Sequence, residues 1–419
     1  MRFLHCADIH LDSALRGLER YEGAPLEEVR GATRRAFENM IRYALRERVD
    51  FVVIAGDLYD GDWPDFNTGL FFAKGMAQLG ESGIAVYVAR GNHDAASRLT
   101  RSLPLPRNVR LFPDKAAKTL IDEEHGIALH GQSFATAAIL EDLAAGYPQA
   151  VRGCFNLGVL HTSLTGRPGH DNYAPTTEAI LRSKNYDYWA LGHVHAREIV
   201  SRDPWLVYPG NMQGRHIREQ GAKGCELVTV EDGSITTEPV ALDVLRWAEF
   251  AIDVAGMPDL DALLDRVAAG VRTALAQADG RILGLRIRVQ GAGAVHRDIS
   301  VRPEAIAEQL RATALDASGG KVWLEKIDLG VRAPIEMDRL AAGDDPVALL
   351  VREVRALAQD EEKLASFAGE ILRELKHKIP AELSQDAELR LDAPGALEDL
   401  LREAESELLA RLAADRGAA

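Results

Sequence analysis

Five short apolar runs in the first half of the chain each end in residues of metal-binding type, and this repetition narrows the possible folds more than any other feature. Arg2 to Ala7, Asp50 to Ala55, Ile84 to Ala89, Asn156 to Leu160 and Tyr186 to Leu191 have the length and composition of buried strands. Helix-period segments separate the first three. Glu27 to Arg48 carries Val29, Ala32, Ala36, Met40, Tyr43, Ala44 and Leu45 near helical spacing, and Asn67 to Leu79 repeats the pattern. Strands alternating with helices predict an α/β layered domain, ending near Leu245. The runs Trp205 to Tyr208, Gly224 to Val230 and Ser234 to Pro239 follow one another without helices and predict a second sheet.

After Trp247 the alternation restarts: strand Phe250 to Val254, helix Asp259 to Ala278, strand Arg281 to Val289, helix Pro303 to Ala314, strand Lys321 to Asp328. This predicts a small α+β accessory domain over 246–334, after a first domain over 1–245. Residues 335–419 are nearly all helix-forming, with breaks around Gly343 to Pro346, at Pro380 and at Pro394-Gly395. Leu397, Leu400, Leu401, Ala404, Leu408, Arg411 and Leu412 make one amphipathic stripe there. Such a stripe either packs on the accessory domain or docks on a partner.

The polar residues sit at matched places. The first run exits into Asp8-Ile9-His10, whose spacing puts both polar side chains on one side of the chain. The second exits into Gly56-Asp57-Leu58-Tyr59-Asp60, the third into Gly91-Asn92-His93-Asp94, the fourth into His161, and the fifth into Gly192-His193-Val194-His195. Sites in α/β sheets gather beyond the carboxyl ends of strands, so the five segments are able to converge. Glycine before Asp57, Asn92 and His193 permits sharp turns and close backbone approach. Each segment alone has a plainer reading: a hydrogen-bonded structural histidine, a turn or helix cap at Asp57 to Asp60, a left-handed turn at Asn92. Five in order are not explained that way.

Carboxylate, carboxamide and imidazole together suit borderline divalent ions such as manganese, iron or zinc, and the absence of cysteine among them argues against structural zinc. Asp8, His10, Asp57, Asn92, His161, His193 and His195 exceed what one ion needs. Two ions about 3.5–4 Å apart, bridged by Asp57, fit better; such a pair generates hydroxide from water and stabilises the charge of an in-line phosphoryl displacement. The leaving alkoxide then needs a proton. His93 is the candidate general acid, with Asp94 beside it to orient the ring and hold it protonated.

Asp-x-His, Gly-Asp-x-x-Asp, Gly-Asn-His-Asp, a lone His and Gly-His-x-His, in that order, resemble the calcineurin-like metallophosphoesterases. Within them, His5-Cys6-Ala7-Asp8-Ile9-His10-Leu11-Asp12-Ser13 is similar to the DNA-repair nuclease branch that contains SbcD, and most of all to its YhaO-type members. Tyr208-Pro-Gly-Asn-Met-Gln-Gly-Arg215, followed by His216 and Glu219, is similar to a second stretch typical of those nucleases, with Asn211-Met212 where Ser-Pro is frequent. The resemblance implies an α/β/β/α sandwich, manganese-dependent exonucleolytic and endonucleolytic cleavage of DNA, and a coiled-coil ATPase partner. It also implies a division of ligands: Asp8, His10, Asp57 and His195 on one ion, Asp57, Asn92, His161 and His193 on the other. His93 would be the transition-state acid, supported by Asp60 and Asp94.

Charge bears on the substrate. The 419 residues include 49 Lys+Arg and 64 Asp+Glu, a formal charge of −15, whereas phosphate is normally met by basic patches. From Glu336 to Ala419 there are 20 acidic and 11 basic residues, which leaves the first 335 residues at −6. Two divalent cations would make the site locally attractive to phosphate. The balance therefore predicts weak intrinsic affinity for DNA and a need for a partner, without excluding DNA. Arg98, Arg101, Arg107 and Arg110 stand between Ala95 and Pro113 with no acidic residue among them. With Arg215 they are candidate phosphate contacts, or equally an ordinary solvated surface. Cys6, Cys154 and Cys225, odd in number and far apart, read as reduced thiols of a cytoplasmic protein. No apolar run has the length of a membrane span, and no signal peptide is visible.

The sequence is thus read as a two-metal phosphodiesterase acting on DNA, an exonuclease subunit in repair, with a homodimer as one option. A small-molecule phosphodiesterase or phosphatase is the alternative within the enzyme class. A non-catalytic scaffold on the same fold is the alternative outside it, and it predicts lost ligands, whereas all seven and His93 are present.

Overall fold

The computed structural model describes residues 1–13, 31–60, 67–96, 105–164, 172–333, 342–360 and 362–369, and residues 397, 400, 401 and 404. Its strands are β1 (Arg2–Cys6), β2 (Phe51–Ala55), β3 (Ala85–Ala89), β4 (Val109–Leu111), β5 (Lys118–Asp122), β6 (Ile127–Gly131), β7 (Phe155–His161), β8 (Tyr188–Gly192), β9 (Glu198–Arg202), β10 (Trp205–Tyr208), β11 (Gly224–Glu231), β12 (Ser234–Ala241), β13 (Leu245–Asp253), β14 (Ile282–Ala292) and β15 (Val322–Arg332). The helices are α1 (Ala32–Glu47), α2 (Asn67–Glu81), α3 (Asn92–Ala96), α4 (Glu178–Ser183), α5 (Leu260–Gln277), α6 (His296–Val301), α7 (Pro303–Ser318) and α8 (Pro346–Ala358).

One six-stranded sheet runs β12-β11-β1-β2-β3-β4, with β1 to β4 parallel and β11 and β12 antiparallel additions beside β1. The other runs β5-β6-β7-β8-β10-β9, with β6, β7, β8 and β10 parallel and antiparallel strands at both edges. Every residue of β2 is buried, the condition of a strand covered on both faces. Its Phe51 and Val53 join Phe3 and Tyr87 against Leu129, Leu157, Val159, Tyr188 and Val207 of the second sheet. Its Val52 and Ile54 face the other way, toward Phe37, Met40 and Ile41 of α1 and Phe72, Met76 and Leu79 of α2. On the far side of the second sheet, Trp189, Leu191, Leu206 and Tyr208 are covered by Tyr147, Leu181 and Tyr186. The layers are those of the expected α/β/β/α sandwich.

The allocation of strands departs from the sequence expectation. The three late runs do not form a sheet of their own. Gly224 to Glu231 and Ser234 to Ala241 make a hairpin through Asp232 and Gly233, both at positive φ (49° and 76°), the backbone that a two-residue turn needs to match strand twist. That hairpin pairs with β1, which lies inside its sheet and needs a neighbour on each side, while Trp205 to Tyr208 pairs with β8. The fourth and fifth runs, β7 and β8, are the centre of the second sheet.

Compactness also divides the chain differently from the expected domains at 1–245, 246–334 and 335–419. One unit comprises Met1–Glu249 with Val271–Arg286 and Leu315–Lys326; the other comprises Phe250–Gly270, Ile287–Ala314 and the described residues from Ile327 onward. A third, parallel sheet has the order β13-β14-β15. The early parts of its strands fall in the first unit because Leu245, Trp247 and Trp323 share a core cluster with Ala32 and Ile217. In the C-terminal stripe, Leu408, Arg411 and Leu412 lie outside the described residues. Among the described residues, no helix is long and apolar enough to cross a membrane, and the three cysteines are free.

His5 is a polar link across the inter-sheet core. It is fully buried, with Nδ1 3.0 Å from the Tyr188 hydroxyl and Nε2 3.1 Å from the Leu191 carbonyl. Burial pushes its pKa from 6.5 down to about 3, against the pull of the Leu191 carbonyl. Because the unfolded chain takes up this proton first, the stability His5 contributes is complete above the unfolded pKa and is lost as pH falls toward 3. Stability measured by denaturant unfolding should therefore fall on acidification by up to about 1.4 kcal/mol per pH unit from this group. His5→Gln should flatten the profile by close to one proton.

Candidate metal centre

The parallel pairing brings the strand exits to one end. Cys6 lies opposite Ile54, Ala55 opposite Ala89, and His161 opposite Gly192. Beyond β1 and β2 the two segments stay together, through Asp8 N to the Gly56 carbonyl (3.0 Å), His10 N to the Asp57 carbonyl (3.0 Å) and Leu11 N to the Leu58 carbonyl (2.9 Å). The backbone turns sharply at the candidate ligands: φ is 49° at Asp8, 46° at His10, 50° at Asp57 and 100° at His193. Non-glycine residues in that region cost on the order of 1–3 kcal/mol each and persist where surrounding contacts over-determine them. Three glycines allow the packing. A Cβ on Gly56 would collide with the His161 ring, one on Gly91 with the Asp57 carboxylate, and one on Gly192 with the Ala55 carbonyl.

The structure brings all seven predicted ligands together in two neighbouring groups. Asp8, His10 and His195 offer ligand atoms within 4.8 Å of one another, as do Asp57, His161 and His193. Asn92 joins the second, with Oδ1 3.0 Å from His161 Nε2. Asp57 stands between the groups: its Oδ2 is 3.4 Å from His161 Nε2 and 3.9 Å from His10 Nε2. Asp8, His10, Asp57, His161 and His193 are all buried.

The donor chemistry fits cations. His161 Nδ1 gives its hydrogen to the Ala55 carbonyl at 2.9 Å, so its Nε2 lone pair faces two further acceptors, the Asn92 and Asp57 oxygens. His195 Nδ1 lies 2.7 Å from Glu219 Oε1, which leaves its Nε2 facing His10 Nε2 at 3.2 Å. Acceptors aimed at acceptors in a buried space call for positive charge between them. The proton equilibria express the same demand. Burial alone would lower His161, but the charge and hydrogen bond of Asp57 outweigh it and raise the pKa to about 9. Burial would raise Asp57, yet His161, His10 and His93 pull it far below the carboxylate range. Asp8 is raised by burial, partly offset by His195 and His161, and His10 is pushed down to about 3 by burial and by Arg215.

The residues beside the ligands are arranged differently from expectation at one point. Asp94 does not orient His93. It is fully buried and accepts from the backbone N–H groups of Leu58 (3.1 Å), Tyr59 (2.9 Å) and Gly91 (3.0 Å), so it ties the second strand exit to the third. Burial and the neighbouring Asp57 charge lift its pKa to about 6. The imidazole partner is Asp60, whose Oδ1 is 3.1 Å from His93 Nδ1 and 3.3 Å from His10 Nδ1. The hydrogen bond to Asp60 raises the His93 pKa against burial. Neighbours on a short helix such as α3 point apart, which is why adjacency in sequence misled.

Arg215 lines the centre instead of standing free in solvent: its guanidinium is 3.5 Å from Asp60, 3.4 Å from the Ser13 hydroxyl and 3.4 Å from His195 Nδ1. Arg98 and Arg101 lie outside the described residues, and Arg107 is exposed. Glu219, which closes the motif that opens at Tyr208, is buried and hydrogen-bonded to His195. Its spacing from Arg215 in that motif was the one available signal.

Gly91 gives a direct test of the packing. Gly91→Ala should destabilise the protein by about 1–3 kcal/mol and weaken metal binding, because the Asp57 backbone nitrogen, 2.7 Å from the added carbon, cannot give way. Gly146→Ala, where a methyl meets no atom within 4 Å, should change stability by less than about 0.5 kcal/mol. Thermal unfolding with and without divalent ions reads both.

Residues 1–197 match the calcineurin-like phosphoesterase family, and residues 247–332 match the middle domain of metallophosphoesterase YhaO. Over 271 residues the chain is 39% identical to a protein of Bacillus subtilis (strain 168) described as an uncharacterized metallophosphoesterase, YhaO. That match covers 64% of this chain and 66% of the relative, just under two thirds of its length. Similar solved structures include a dimetal phosphatase from Danio rerio, at 12% identity and a TM-score of 0.35 over 58% of this chain and 96% of that one. Another is GAP50, the anchor in the inner membrane complex of Plasmodium, at 11% identity and a TM-score of 0.35 over 58% of this chain and 84% of that one. The assignment rests on the family matches and on the geometry of the site, which are those of a metal-dependent phosphoesterase with a candidate dimetal centre. The chain belongs to the calcineurin-like metallophosphoesterases and, among them, to the YhaO type.

Proposed function

We propose that this chain hydrolyses phosphodiester bonds of DNA, with manganese as its ion, as the nuclease subunit of a repair assembly. The observation that supports this reading is the place of the second nuclease-like stretch: Arg215 and Glu219 are built into the centre, Glu219 on His195 and Arg215 beside Asp60. A guanidinium at that position is suited to the charge of a phosphodiester. Asp8, His10, Asp57 and His195 would hold one ion, and Asp57, Asn92, His161 and His193 the other. When bound, such a pair polarises the phosphate and activates water. His93 supplies the proton for the leaving oxygen, while Asp60 on its Nδ1 holds the ring and Ser13, 2.7 Å from Asp60 Oδ2, holds Asp60. The net charge of −15 supports a partner that brings DNA to the site. Leu349 and Phe367, 55% and 64% exposed, are candidate contacts for a coiled-coil ATPase.

The test is a manganese-dependent assay on labelled single- and double-stranded DNA beside a generic phosphodiester and a phosphomonoester, with and without an ATPase partner. Cleavage of DNA is expected; hydrolysis of the small esters alone would replace the nuclease reading with a small-molecule phosphodiesterase or phosphatase. His93→Asn should lower kcat by about 10²–10⁴-fold and leave metal binding intact. Undiminished turnover would remove His93 from the proton-transfer role.

A further inference from the structure

Glu219 is saturated with hydrogen-bond donors. Oε1 lies 2.7 Å from His195 Nδ1, and Oε2 accepts from Asn211 Nδ2 at 2.8 Å and from the Arg215 backbone N–H at 2.6 Å. Among the described residues, the other charged groups facing this carboxylate are Arg215 Nη2 at 3.7 Å and His216 Nε2 at 3.6 Å, both from Oε1, and Lys223, whose Nζ donates to the His195 carbonyl at 2.9 Å. With two N–H donors on Oε2 and the Arg215 guanidinium beside Oε1, the carboxylate is placed to accept at both oxygens. His195 Nδ1 must then carry the ring proton, and Nε2 carries the lone pair that faces His10 and Asp8.

Asn211 fixes the carboxylate in turn. It is fully buried, and both hydrogens of its Nδ2 are used, on Glu219 Oε2 and on the Gln213 carbonyl at 2.9 Å. Among the described residues its Oδ1 has no hydrogen-bond partner, so these two donations set how the amide is turned. Its backbone N–H also donates to the His195 carbonyl at 3.2 Å. The same residue therefore steadies His195 from the main chain and, through Glu219, from the ring.

We infer that Glu219, oriented by Asn211, is a positioning residue that sets the tautomer of His195 and thereby the affinity of the Asp8–His10–His195 group for its ion. The inference rests on the two-ion reading above. It makes a prediction that a purely structural role does not. In Glu219→Gln the oxygen of the new amide is claimed by the two donors at Asn211 and Arg215, so its NH2 must face His195 Nδ1. That forces the ring proton onto Nε2, where it blocks the metal. A near-isosteric change becomes the most damaging one, whereas Glu219→Ala leaves space for a water that accepts from Nδ1.

Calorimetric titration of the metal-free full chain with manganese should count two ions in the wild type. Glu219→Gln should weaken one of them by about 10–100-fold, more than Glu219→Ala does, and leave the other unchanged. Metal-free Glu219→Gln should unfold near the wild-type temperature, and imidazole ¹⁵N shifts should report Nδ1–H at His195 in the wild type and Nε2–H in the variant. Wild-type affinity for two ions in Glu219→Gln, or a greater loss in Glu219→Ala than in Glu219→Gln, would overturn the inference. A wild type that binds fewer than two ions would instead defeat the two-ion reading on which it stands.

Discussion

A carboxylate that is 1% exposed has to be met by positive charge or hydrogen bonds, and the burial of Asp57 is the constraint around which this structure is organised. Oδ1 takes the His93 backbone N–H at 3.0 Å, and Oδ2 faces His161 and His10. The left-handed backbone at Asp57 is what turns the side chain inward from the end of β2. Gly91 leaves it the room. The charge and hydrogen bond of Asp57 drive His161 upward against burial, while burial and Arg215 drive His10 down.

The site needs both sheets. Asp8, His10, Asp57 and Asn92 follow strands of the first; His161, His193 and His195 end or follow strands of the second. The hydrogen bond from His161 to the Ala55 carbonyl and the His193 backbone N–H on the Asp8 carboxylate, 3.0 Å from Oδ2, tie the exits of the two sheets to each other. The inter-sheet core that supports them includes Phe3 and Phe51 stacked at 4.8 Å, with Tyr188 edge-on to Phe3. Packing between the sheets and ligand geometry are therefore one problem, and a cavity opened in that core is expected to reach the metal groups.

Much of the site was legible because ligand chemistry is local. Asp8-x-His10, Gly56-Asp57, Gly91-Asn92 and Gly192-His193-x-His195 each carry their residue type and their turn in a few consecutive positions. The partners of those ligands were less legible. Asp94, adjacent to His93, was the natural choice for its support, but the helix turns the two side chains apart and Asp94 is spent on backbone N–H groups. Asp60 reaches His93 from another strand exit. In sequence Arg215 reads equally as a phosphate contact or as a solvated cation, and only the fold of the loop after β10 places it in the wall of the centre.

The sequence by itself determined the kinds of residue placed at each strand exit, the order in which they occur, the alternation that makes a layered α/β domain, and the family. Periods of two and 3.6 residues and the chemistry of single side chains are written in neighbouring positions. Only the tertiary structure decided which sheet each strand joins, which carboxylate serves which imidazole, and that Glu219 holds His195. Those outcomes depend on approach between residues far apart in the chain, 106 positions for His161 and Ala55. At that separation close packing, and not local pattern, selects the partner.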